Sequence, residues 1–190
     1  MMNNRPLQFV LGLIGALALA SCDSGQVPSP ADRMAGDVPV DVVDEGLVAL
    51  HGEGLVAGAE SFYFAAGRNE VEAALAYVLG EPVSRNEIDE CGAGIMAMTS
   101  YSGELTVNFQ DGSLVGWNIG TAPEGEAAKI QIDADVAIGM PAEELADTAG
   151  YSPIEDSTLG EEFALSDRVG GFVDGGSVSM LYAGTQCFFR

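Results

Sequence analysis

The sequence predicts an α+β domain: a tandem repeat of one helix plus a three-stranded antiparallel meander, with the helices packed on one sheet face. Three observations carry this expectation. A helical apolar stripe runs through 69–79, alternating apolar and polar residues flank an Asp-Gly pair at 111–112, and the order of elements returns after 128. The first repeat is expected at about 55–120 and the second at about 129–190, both inside a folded region of 46–190.

The N-terminus is read first. Arg5 supplies a positive charge, and Leu7 to Ala20 form an apolar run of fourteen residues. A helix crossing a bilayer core needs about 20 apolar residues. The run therefore has the proportions of a secretory signal, removed from the mature chain. It ends Leu19-Ala20-Ser21-Cys22, which resembles the lipobox of bacterial lipoprotein signal peptides. That resemblance implies that residues 1–21 are a signal peptide and that Cys22 becomes the first mature residue. It would carry a thioether diacylglycerol and an N-acyl chain such as palmitate. Two or more buried acyl chains give stable anchoring where one chain binds only marginally. Asp23 follows, and an aspartate there resembles the inner-membrane retention signal of enteric bacteria; the choice of membrane stays open. Residues 22–45 are expected to be the lipidated cysteine and a flexible tether, since Ser, Gly, Pro, Asp and Ala dominate 23–40 with little periodicity. Eighteen such residues reach roughly 25 Å.

Gly54-Leu55-Val56 and Phe62-Tyr63-Phe64 read as short strands. A helix follows, with Asn69 as its cap and Glu72 completing a capping-box pattern. Val71, Leu75, Val78 and Leu79 make its buried stripe, Gly80 its end and Pro82 its breaker. Ile95 to Tyr101, Glu104 to Gln110 and Ser113 to Ile119 read as a meander. Hairpin geometry decides where Trp117 points. A two-residue loop pairs Gln110 with Ser113 and puts Trp117 on the face opposite Leu105 and Phe109, as an exposed binding aromatic. A three-residue loop with Gly112 as a bulge places it in the core, and the hydrophobic pattern favours that register.

After a Pro/Gly/Glu linker at 121–128, Gly139-Met140-Pro141 opens a second helix with Glu143 and Glu144 in its first turn and Leu145 as its main apolar contact. Gly150 is its stop and Pro153 its breaker. Strands are expected at Glu161 to Leu165, Gly170 to Val173 and Ser177 to Ala183. This order over residues 55–190 resembles the β-lactamase-inhibitor-protein fold and the related small lipoproteins of the outer-membrane β-barrel assembly machinery. No functional residue is carried over, and a single cysteine pair departs from an inhibitor with a disulfide in each repeat.

The chain has 7 basic and 29 acidic residues. Arg5 is the one charge in the signal segment, so the mature chain carries a net −23. That surface repels nucleic acid and would attract a basic partner or divalent cations, but salt adaptation or a well-solvated surface is the favoured reading, because charge speaks to solubility more than to activity. The acids are scattered; Asp133 and Asp135 come nearest to a calcium loop, and the rest of that loop is missing. With Cys22 lipidated, Cys91 and Cys187 remain. An even pair outside the cytoplasm reads as one disulfide, worth about 4 kcal/mol in the chain-entropy model. Two free thiols or part of a metal site are the alternatives, and zinc would need carboxylates because His51 is the sole histidine.

Catalytic patterns are weak. His51 is the one candidate histidine base, Lys129 the one lysine, and the pairs Glu143/Glu144 and Glu161/Glu162 arise by chance among so many acids. The expectation is a non-catalytic, lipid-anchored lipoprotein of the cell envelope, outside the cytoplasm and without a cofactor or metal. It would act by protein binding, envelope assembly or inhibition, with the membrane and an envelope protein, basic in charge, as partners and no nucleic acid. An envelope enzyme using carboxylates and an acidic cation-binding surface module are the alternatives.

Overall fold

The computed structural model describes residues 46–188 apart from 124, 126 and 128. In chain order the strands are β1 (Val48–His51), β2 (Gly54–Ala57), β3 (Glu60–Tyr63), β4 (Ser84–Ile88), β5 (Met96–Ser100), β6 (Leu105–Gln110) and β7 (Ser113–Gly120), then β8 (Ile130–Ile132), β9 (Ser152–Pro153), β10 (Glu161–Ala164), β11 (Val169–Asp174) and β12 (Ser177–Gly184). Among the described residues two helices accompany them, α1 (Arg68–Leu79) and α2 (Ala142–Ala146).

The architecture is mostly β, which corrects the expected α+β tandem of helix plus three-stranded meander. The strands form a four-stranded sheet in the order β3-β2-β1-β8 and an eight-stranded sheet in the order β4-β5-β6-β7-β12-β11-β10-β9. Two physical reasons account for the difference. First, the segment from 48 to 63 builds its own sheet, completed by β8 lying parallel to β1 across about 80 residues of chain. Second, Leu145 is the one buried residue of α2, and a single apolar contact sustains only five helical residues before Asp147 ends them.

Both sheets and α1 share one core. Leu50 and Leu55 of the small sheet, Val107, Trp117 and Leu181 of the large one, and Val71 and Leu75 of α1 are fully buried in a single cluster. α1 buries Val71, Leu75 and Val78, as its stripe requires. Its entry differs from the expected capping box: Gly67 is the N-cap, with no side-chain cap bond. Gly80 closes the helix at φ 89°, its N–H donating to Ala76 O.

The β6–β7 hairpin turns through Asp111 (φ 49°) and Gly112 (φ 77°) and pairs Gln110 with Ser113, the two-residue loop. Taken alone, that register would expose Trp117. Val115 restores the face, because Asn108 pairs with Gly116 and Phe109 with Leu114, leaving Val115 as an extra residue. The bulge thus sits within β7 instead of at Gly112, and Val107 faces Trp117 on the core side.

Candidate functional site

Cys22, Asp23 and the rest of 1–45 lie outside the described residues. Among the described residues no helix is long and apolar enough to cross a membrane.

Trp117 is a core residue and not a binding aromatic, which corrects that alternative. It has no exposed surface, and its Nε1 donates to His51 O at 2.9 Å, so the indole joins the two sheets. The His51 ring stands edge-on to Tyr63 at 5.8 Å, and its Nδ1 accepts from Glu53 N at 3.3 Å. Neither contact gives it a nucleophile to activate. Lys129 donates to Val78 O at 2.9 Å, placing a cation at the C-terminal end of α1 where the helix dipole favours it. Glu143, Glu144, Asp133 and Asp135 are exposed. Among the described residues no three His, Cys, Asp or Glu side chains converge as a metal site.

The pattern that suggested a capping box conceals a different device. Glu72 accepts from Arg68 Nε at 2.7 Å, from Thr99 Oγ1 at 2.7 Å and from Arg85 Nη2 at 3.2 Å. Its side chain is 15% exposed and Thr99 is fully buried, so this hub ties α1 to β4 and β5. Arg68 also lies 5.2 Å over the Phe109 ring. Partial burial works against ionisation of Glu72, but the hydrogen bonds from Thr99, Arg68 and Arg85 and the field of Arg68 outweigh it and hold the carboxyl below its ordinary value. Nearby, burial and then the Glu72 charge push the Tyr101 hydroxyl up to about 12.

A second buried carboxylate, Glu162, accepts from Tyr182 Oη at 2.7 Å and from Ser157 Oγ at 2.5 Å. It is 3% exposed and lines a cavity of about 320 Å³ that Glu155, Asp156 and Glu161 also reach. The adjacent Glu161/Glu162 pair gave no sign of this, because the partners come from a loop and from β12.

On the face of the large sheet away from the core, Asn108 is fully buried under the C-terminal segment. Its Nδ2 donates to Thr185 O at 3.1 Å and to Gln186 Oε1 at 2.9 Å, while its Oδ1 has no partner among the described residues. Cys91 is buried and Cys187 half-buried; both are free thiols, close enough for the one to act on the ionisation of the other. In this form burial and the Cys91 thiol push the Cys187 thiol up to about 11.

Clefts of about 640 and 570 Å³ open on the surface. The first is lined by Ile119, Ile130, Ile132, Val136 and Ile138 and lies along β8, the last strand of the small sheet. The second runs between α1 and the β2–β3 turn, with alanines on its walls and Glu60, Glu70 and Tyr77 at its rim. The isoleucine cleft is the candidate binding site, because an apolar groove beside a sheet edge matches an extended partner segment. No protein-family model matches the chain, and comparisons with curated proteins and with solved structures find no match.

Proposed function

We propose that this chain is a lipid-anchored, extracytoplasmic lipoprotein of the bacterial cell envelope, non-catalytic, that works by binding another envelope protein. The observation that carries the reading is Leu19-Ala20-Ser21-Cys22 at the end of a fourteen-residue apolar run (Leu7 to Ala20). A sulfur in that setting is an acylation acceptor, and acyl chains would hold the domain at a membrane surface. The binding mode is supported by the isoleucine cleft along β8. An extended segment laid there gains main-chain hydrogen bonds from the sheet edge and buries side chains in the groove. The net charge of −23 on the mature chain favours a partner that is basic around that segment.

Site-specific photocrosslinking in intact cells tests the binding mode. A photoreactive residue at Ala137, which lines the cleft, is expected to capture a discrete partner. The same residue at Glu87, exposed on β4 at the edge of the other sheet, is expected to capture none. Equal capture at both positions, or none at either, contradicts the reading.

The enzyme alternative has one observation in its favour, the buried Glu162 beside the cavity that holds Glu155, Asp156 and Glu161. It requires hydrolysis of an envelope substrate that Glu162→Gln abolishes while the fold is kept. A folded Glu162→Gln variant with wild-type function in cells removes it.

A further inference from the structure

We propose that Cys91 and Cys187 are the two halves of a disulfide latch that fastens the C-terminal segment 184–188 across the outer face of the eight-stranded sheet. The geometry is set by one strand. Asn108 and Gln110 are outward-facing neighbours on β6, two residues apart and so roughly 7 Å along the strand. Asn108 holds the C-terminal segment through Thr185 O and Gln186 Oε1. Gln110 holds the loop that carries Cys91, its Nε2 donating to Ala93 O at 2.7 Å. Each cysteine is therefore carried by a segment that an amide of the same strand face holds, Cys91 two residues before Ala93 and Cys187 next to Gln186.

The segment around Cys187 is fixed on both sides. Before it, Gln186 Nε2 donates to Trp117 O at 3.0 Å and to Ala183 O at 2.8 Å, its Oε1 accepts from Asn118 Nδ2 at 3.1 Å, and Thr185 N donates to Val115 O at 2.8 Å. Gly116 makes this approach feasible, since a Cβ there would collide with the Thr185 carbonyl oxygen. After it, Phe188 packs edge-on against Phe172 at 5.3 Å and Tyr182 at 5.2 Å. Closing the bond costs little added ordering, because both segments already occupy one arrangement.

The oxidant is a disulfide of the exchange class, a dithiol oxidase or glutathione disulfide. One of the two cysteines, as its thiolate, attacks the oxidant's disulfide, forming a mixed disulfide and releasing one thiol. The sulfur of the other cysteine then displaces the second, so two S–H bonds and one S–S bond become one new S–S bond and two S–H bonds on the spent oxidant. The two electrons leave with that reagent.

The test uses the full-length chain extracted in detergent and equilibrated with reduced or oxidised glutathione. Peptide mapping under non-reducing conditions is expected to find residues 91 and 187 joined within one molecule after oxidation, with Cys22 outside the linkage. Backbone amides of 184–188 are expected to exchange about tenfold more slowly in the oxidised form. Cys187→Ser is expected to exchange at the reduced rate in either buffer. Stoichiometric alkylation of both cysteines after oxidation, or only mixed disulfides with glutathione, overturns the proposal. Equal exchange in the two redox states overturns the latch even if the bond forms. The wild-type comparison requires no variant to fold, and it is independent of whether Cys22 is acylated.

Discussion

At the scale of single residues, the buried groups with exact partners carry the testable weight. Trp117 is the chain's only tryptophan and is fully buried, so native emission should be blue-shifted and should move to the red on unfolding. Trp117→Ala removes both the indole packing and the bond to His51 O, and is expected to cost about 3–5 kcal/mol in chemical denaturation. Glu72 sets an acid limit. Its carboxyl is held low in the folded chain, so its stabilisation is present above its ordinary value near 4.5 and is lost as pH falls through the lower folded value. Glu72→Ala strands two arginines and Thr99, with an expected loss of about 2 kcal/mol at neutral pH and a flatter acid limb. Tyr101 sets the opposite limit. The folded chain keeps its proton up to about 12 while the unfolded chain loses it near 10, so stability falls across that window; Tyr101→Phe should remove the fall. Trp117's burial was legible because apolar alternation favours one face. Glu72's partners Arg85 and Thr99, 13 and 27 residues away, leave no local trace, and the same residue happens to fit a capping-box spacing.

At the scale of elements, legibility followed local patterning. The strands β5, β6, β7, β10, β11 and β12 lie within about two residues of the segments that alternation and turn residues marked. β4 was not visible, since Ser84–Ile88 is polar apart from its last residue and lies at a sheet edge. β8 is three residues at the end of a linker and acquires strand character only from pairing with β1. The Val115 bulge was also hidden, as its role is to reconcile a two-residue turn with a core that local sequence cannot see. Two substitutions probe how elements are held. Lys129→Met removes the cation at the end of α1 and should cost about 0.5–1 kcal/mol, read as a shift of the denaturation midpoint at constant slope. Gly52 lies against the 165–169 turn, where a Cβ would overlap the Asp167 carbonyl oxygen, and Arg168 bridges to Glu53 beside it at 2.8 Å. Gly52→Ala should therefore lower the melting temperature markedly, while Arg168→Ala, which removes an exposed pair, should change it little.

For the molecule as a whole, the 190-residue chain has a formal charge of −22, and its two-sheet, mostly β body exposes an isoleucine cleft along one sheet edge. Self-repulsion at that charge predicts that raising salt from about 10 mM to 500 mM increases the melting temperature, since screening relieves the compact state more than the expanded one; a decrease would contradict it. The central claim is that a lipid on one sulfur fixes where this body works. Mass analysis of the N-terminal peptide from the protein isolated from its native membranes tests it most directly. The account predicts a mature chain beginning at Cys22 and bearing diacylglycerol and acyl groups. Recovery of Cys22 as a free thiol within an uncleaved chain would contradict it.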